Sequence, residues 1–366
     1  MRMLGIGAAL LVLAAMAGPA RDAAAKVTTD RVGAAVQRTT MDDFMRHPAD
    51  GRYYTESWTT ILHSDAGHVL YINFMYSNIG VVSGRAAVDV SLTEPDGQGR
   101  HFGWESDQAD FRQDPETGRI TIARDSITLK NGNLHILIDH SDLRLDVRMK
   151  AWMPGVKYHD GIIWLNDERS EFVQAFFHIP RGDFTAEAAM GGRRFSMKGG
   201  GYLDHMVNNR LSSEWSDKWW TTRFYAPDHT VAFWAFRLRK DRGGQVIVRS
   251  LVTDRTKVLA MTDRLKIKGE EPVADPKIAG RKYDTKYRLT LDRKGLKLEG
   301  ELKSRRVHDR NAVVERLPWA QRNIAKMFAG NPVIYRMEGD ANLVLTLEGQ
   351  EPVTLTGTAL MESIVN

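Results

Sequence analysis

The segment Gly199-Gly200-Gly201-Tyr202-Leu203-Asp204-His205 gathers side chains able to do chemistry. Three glycines inside a strand pattern weaken it, and so predict a bulge or a close backbone approach. If the strand resumes at Tyr202, its period of two puts Tyr202 and Asp204 on one face and Leu203 and His205 on the other. A phenol and a carboxyl then share one environment. Trp215, Trp219, Trp220 and Trp234 follow soon after, a density of indoles that can line an apolar cavity. Together with Trp58 and His205 they are the candidate ligand-binding set. Each feature also has a structural reading. Tryptophans fill barrel interiors as core, and Asp204 and His205 can latch two halves of a chain by hydrogen bonds.

Other chemistries find no support in the residues. There is no Gly-x-Ser-x-Gly elbow, no phosphate-binding glycine loop and no His-Glu-x-x-His helix. The eleven histidines are scattered, and pairs such as His135 with His140 lack the company that metal spacing requires. With no cysteine at all, disulfides and thiolate metal or redox sites are excluded. No metal and no cofactor is expected. The formal charge of +5 is spread over 27% charged residues of both signs, and the one dense basic cluster, Lys303, Arg305, Arg306 and Arg310, reads as a solvated face. No nucleic-acid partner is expected.

The elements that must position these residues are strands. Leu143, Leu145, Val147 and Met149 alternate with Arg144, Asp146, Arg148 and Lys150, the signature of a strand with one wet face. Asp96-Gly97, Asn131-Gly132, Asp160-Gly161, Gly191-Gly192 and Lys294-Gly295 are written as hairpin turns. An internal repeat organises them. Trp58 to Phe74 matches Trp220 to Phe236 without a gap, placing Val69 on Val231 and Tyr71 on Phe233. Leu134 to Ala151 matches Tyr287 to Ser304. Gly182, Gly192 and Gly200 fall on Gly339, Gly349 and Gly357. Three collinear matches point to a duplication. Units of this size are each better read as a sheet closed on itself, which removes exposed edges. The expected architecture is therefore all-β: an N-terminal barrel over 45–200, a C-terminal barrel over 205–366, and a helix near 310–329 read from Ala312, Val313, Leu317, Ile324, Met327 and Phe328.

Residues 1–25 read as a signal peptide, with Arg2, an apolar run from Leu4 to Met16, and Ala23-Ala24-Ala25 before the cleavage point. Export to the periplasm or beyond is expected, with any membrane contact only peripheral. The remaining chain, about 340 residues, is enough for two domains.

Glu56-Ser57-Trp58, His178-Ile179-Pro180-Arg181 and above all Gly199 to His205 resemble the bacterial carotenoid 1,2-hydratases, the AttH-like lipocalin proteins and the survival factor 1 group. The resemblance implies two lipocalin-like barrels in tandem. It also implies catalytic roles for Tyr202 and Asp204, with His178 as a supporting histidine. Adding water across an alkene needs a proton donor and a sheltered cation. A carboxyl kept protonated in an apolar site can supply the first, and aromatic faces the second. The chain departs from the family pattern at Met206 and Asn208-Asn209. Lipid binding, the role implied by the survival factor group, needs only a cavity. Three functions therefore stand: binding of an isoprenoid or long-chain lipid near the domain junction, hydration or cyclisation of such a molecule, and a non-catalytic scaffold whose oligomeric state the residues leave open.

Overall fold

The structure is a computed structural model that describes residues 35–49, 53–79, 82–312, 315 and 331–366. The expected signal segment lies outside the described residues. The described residues are mostly antiparallel strand, in two large sheets. Among the described residues no helix is long and apolar enough to cross a membrane.

In the first sheet the strand Thr55–Ser64 pairs with the last long strand, Arg193–Asn208. From that pair the chain meanders one way through Val69–Ile79, Val82–Thr93 and Gly99–Asp107. The other way it runs through Phe172–Met190, Leu143–Ala151, Asn133–Asp139 and Asp125–Lys130 to Arg119–Ile122 and Phe111–Asp114. The second sheet follows the same plan. Ser216–Tyr225 pairs with Val353–Val365. Thr230–Leu238, Val246–Thr253 and Val258–Thr262 extend one side; Val333–Leu347, Leu296–Asn311, Lys282–Arg293 and Lys266–Ala274 extend the other. In both sheets the two terminal strands are consecutive in the chain, so each sheet curls back on itself as a barrel does.

The repeat holds residue for residue through the middle hairpin, where Leu145 opposes Ile138 and Leu298 opposes Leu291. Elsewhere the gap-free match slips by one residue at a turn. His63 opposes Val69 in the first half, whereas Tyr225 opposes Thr230 in the second, so the first turn is one residue longer. Tyr71 therefore corresponds to Ala232 and not to Phe233. A one-residue slip changes the face: Tyr71 faces the other barrel while Phe233 points into its own. By the same logic Gly357 corresponds to Gly199. Each lies so close to backbone that an added Cβ would sit about 2 Å from a carbonyl oxygen, at 2.2 Å from His63 O and 2.1 Å from Tyr225 O.

Four of the expected turns join paired strands. Asp160-Gly161 differs, because Val156–Tyr158 and Ile162–Trp164 both pair with Phe172–Met190 and not with each other. Of the expected helix near 310–329, residues 310 and 311 are the end of the strand Leu296–Asn311, and the rest lies almost wholly outside the described residues.

Among the described residues three apolar cores result. One fills the first barrel and includes Phe44, Trp58, Ile136 and Val147; a second fills the other barrel around Trp220, Tyr287 and Leu298. The third lies between the barrels, where outward faces of both sheets meet through Ile61, Tyr71, Phe177, Tyr202, Trp234 and Leu360.

Candidate functional site

The strand Arg193–Asn208 separates the first core from the third. Tyr202 and Asp204 face the second barrel, while Leu203 and His205 point into the first, as the period of two requires. The glycines ahead of them serve a close approach, not a bulge in their own strand. A Cβ on Gly201 would lie 2.3 Å from the Met149 sulfur, yet one on Gly200 would meet nothing within 4 Å. The irregularity sits in the partner strand, whose register shifts between Phe177 and Ile179 and again before Gly182. The first shift leaves His178 as the extra residue. A bulge re-aims a side chain, and here it turns His178 into the first barrel beside His205, 5.8 Å away between ring centres.

His178 thus lies on the opposite side of the sheet from Tyr202 and Asp204, and the expected catalytic trio is divided. Inside the barrel, His178 Nε2 and His205 Nδ1 both donate to the Asp43 carbonyl, at 3.2 and 2.7 Å. Trp58 Nε1 donates to the Phe44 carbonyl at 2.7 Å, and its ring stacks on His205. The short helix Met41–Phe44, capped by Thr40, is thereby pinned as a plug in the barrel. His205 Nε2 meets Glu56 Oε1 at 2.7 Å, and Tyr54 donates to the other oxygen of Glu56. Burial holds the His178 imidazole well below its ordinary range, so it stays neutral.

On the other face, Asp204 Oδ2 accepts from the Tyr202 hydroxyl at 2.9 Å, from Arg223 Nη2 at 2.7 Å and from Trp234 Nε1 at 3.2 Å. Arg223 Nη1 donates to Glu362 at 3.0 Å; Arg336 Nε donates to the other oxygen of Glu362 at 3.2 Å, and its Nη1 to Asp309 at 2.8 Å. Asp309 then reaches back to the first barrel, accepting from Ser91 at 3.1 Å and lying 2.8 Å from His101 Nε2. A buried chain of charges crosses the interface twice. The guanidiniums also lie over aromatic rings: Arg223 is 4.6 Å from the centre of Tyr202 and Arg336 is 4.1 Å from that of Tyr71.

The expected apolar shelter for Asp204 is therefore a charged one. Burial raises its carboxyl above the ordinary range, while Arg223 and the Tyr202 hydroxyl act against that. Burial raises Tyr202 as well, so the phenol keeps its proton. Glu362 is also pushed up by burial, but Arg223 and Arg336 outweigh it and hold the carboxylate below its usual range. Arg223, Glu362 and Arg336 did not stand out in the sequence, and Glu56 did so only within the Glu56-Ser57-Trp58 motif. A charged residue at a strand position flanked by buried alternates, such as Arg223 between Thr221 and Tyr225, is the signal that marks it.

The tryptophans divide among the three cores. Trp58 lies in the first barrel, and Trp220 lies in the second, where its Nε1 donates to Asp284 at 2.8 Å. Trp215, Trp219 and Trp234 belong to the space between. Phe177 stacks on Trp234 with ring centres 3.9 Å apart, across the interface. Two solvent-open grooves lie away from this place. One, of about 540 Å³, is at the seam of the second barrel beside Val248, Leu265 and Ile267; the other, of about 510 Å³, is on the first sheet near His135, Arg148 and Thr185. Among the described residues no group of histidine and acidic side chains is arranged to hold a metal ion.

In sequence, the profile of the Svf1 family matches residues 12–365. The chain belongs to the Svf1 family. No curated protein matches this Svf1-family chain in sequence. Its fold is shared with CghA, seen in complex with Sch210972 (12% identity, TM-score 0.62, covering 90% of this chain and 98% of that one). It is shared too with an AttH-like protein, NE1406, of Nitrosomonas europaea (12%, TM-score 0.61, 89% and 96%), and with kievitone hydratase of Nectria haematococca (9%, TM-score 0.51, 86% and 89%). The architecture is the lipocalin-like pair of barrels that the junction motif implied.

Proposed function

We propose that this Svf1-family protein binds an apolar small molecule, an isoprenoid or a long-chain lipid, between its two barrels. The observation that carries the reading is the position of the third core. Both barrel interiors are filled by their own large side chains, with Phe44, Trp58 and Tyr287 each 0% exposed. The aromatic residues left over, Trp215, Trp219, Trp234, Phe177 and Tyr225, line the faces where one barrel meets the other. Trp219 and Tyr225, each 9% exposed, are the most exposed of its buried residues. The faces are closed on each other, so a ligand must part them. Burial of about 0.8 kcal/mol for each methylene offsets that cost when the chain is long. CghA, whose structure was determined with Sch210972, supports this reading of the fold.

Native mass spectrometry on protein purified without detergent tests the proposal. The expected result is a co-purifying apolar molecule; a protein that is consistently empty and ignores added lipid contradicts it. The same proposal includes export, with cleavage after Ala25, and an intact mass from native cells that retains residues 1–25 would overturn that part.

Hydration or cyclisation of the bound molecule is the second reading. One contact favours it: the Tyr202 hydroxyl donates to Asp204 at 2.9 Å, beside a carboxyl that burial raises. Asp204 must be freed from Arg223 before it can act as an acid. Asp204→Asn abolishes turnover of a polyene substrate while leaving binding nearly intact if this reading holds. If that substitution instead loosens the two barrels, Asp204 is a latch.

A further inference from the structure

The strand Ser216–Tyr225 presents Trp219, Thr221, Arg223 and Tyr225 to the other barrel, while Trp220 and Phe224 point into its own. Thr221 is fully engaged, donating to Glu362 at 2.6 Å and accepting from Arg223 Nη1 at 2.6 Å. The other three each keep a polar atom with no partner among the described residues: Trp219 Nε1, Arg223 Nε and the Tyr225 hydroxyl. Each of these side chains is at least nine-tenths buried. The Tyr71 hydroxyl, from the first barrel, is unpartnered in the same core, as is Trp215 Nε1, whose ring centre is 5.2 Å from that of Trp219.

Buried donors without acceptors are rare and costly, and native interiors contain few. Several on one face of one strand form a pattern. From Trp219 to Tyr225 the strand advances by six residues, roughly 20 Å at 3.3 Å per residue. Burial keeps the Tyr225 phenol protonated, so it can donate. Indole and guanidinium N–H groups can only donate. The stripe is thus rich in donors, with the aromatic Trp219 and Tyr225 on either side of the charged contacts of Arg223.

We infer that the molecule held between the barrels bears oxygen, as hydroxyl or carbonyl, and lies along this strand with those oxygens accepting from Trp219, Arg223 and Tyr225. This rests on the binding reading above and narrows it, because a bare hydrocarbon leaves every donor unpaired. The site discriminates between two molecules of equal apolar size by the polar atoms that only one of them satisfies.

Farnesol and farnesene, matched isoprenoids with and without a hydroxyl, provide the test, with quenching of intrinsic tryptophan fluorescence as the readout. The expected result is that farnesol binds roughly three- to tenfold more tightly, the worth of about one hydrogen bond. Tyr225→Phe and Trp219→Phe each keep an aromatic ring and remove a donor. At least one of them brings farnesol down toward farnesene while farnesene is unchanged. Equal affinities for the two molecules, or equal losses for both in each variant, overturn the inference and leave the binding reading standing, with water satisfying the donors. If neither molecule binds, both the inference and the binding reading fall.

Discussion

Glu362 occupies in the second sheet the place that Asp204 occupies in the first, and Arg223 binds both. Asp204 stands opposite Thr59, and Glu362 stands opposite Thr221, its counterpart in the repeat. The duplication has set two acids face to face across the interface, where two buried negative charges would repel. The Arg223 guanidinium, 2.7 Å from one and 3.0 Å from the other, offsets them.

Arg223→Met is therefore expected to destabilise the protein by about 3–5 kcal/mol, the cost of leaving buried charges unpaired. Arg223→Lys is expected to recover only part of this, because an ammonium cannot bridge two carboxylates with a planar fork. Urea unfolding of the purified variants measures both. A loss below about 1 kcal/mol for Arg223→Met would show that the chain of charges is not what holds the barrels together.

The glycine run makes a graded prediction. Gly200→Ala is expected to be nearly neutral, since its Cβ would meet nothing within 4 Å. Gly199→Ala places a Cβ 2.2 Å from the His63 carbonyl oxygen and 2.8 Å from the Ser64 Cα, so backbone must move. Overpacking of this kind costs about 1–3 kcal/mol. Thermal denaturation of the two variants side by side should separate them, and equal midpoints would count against the close approach.

Stability should fall in mild acid. His308 lies at the interface, 3.2 Å from Thr93 Oγ1, and burial pushes its imidazole down to about 4. A folded-state value below the unfolded one of about 6.5 means that the folded protein favours neutral histidine. That contribution is fully present above pH 6.5 and is lost as pH falls toward 4, for a total of about 3 kcal/mol. His178 acts in the same direction. Asp309, held at about 2 against its burial by the His101 hydrogen bond and Arg336, adds a loss only below about pH 4. Urea midpoints at pH 7, 5.5 and 4.5 should decline, and less steeply in His308→Gln. An unchanged slope in that variant would remove His308 as a cause.

The strands, their alternation and the doubled plan were legible because hydrophobic period and turn glycines are local features. The partition of Tyr202 and Asp204 from Leu203 and His205 followed from the pleat alone. What escaped depended on single residues in turns and bulges. One additional residue before Val69 shifts the second strand of the repeat, which hides the match of Tyr71 with Ala232. The bulge at His178 cannot be read from alternation, so a histidine grouped with Asp204 by motif lies on the far side of the sheet. The tryptophans looked like one cluster because they are close in the chain, yet adjacent residues such as Trp219 and Trp220 point to opposite faces. Arg223, Glu362 and Arg336 become visible as partners only when two sheets pack together. The repeat, with its slips corrected, places Glu362 on Asp204.

The location of the ligand is the most direct test. A long-chain lipid carrying a photoreactive diazirine, bound and then irradiated, marks the peptides that surround it, and mass spectrometry of the digest identifies them. Labels should fall on the strands Ser216–Tyr225 and Thr230–Leu238, at residues facing the first barrel. Labels confined to Val246, Val248, Leu265 and Ile267 would place the ligand in the seam of the second barrel and contradict binding between the barrels.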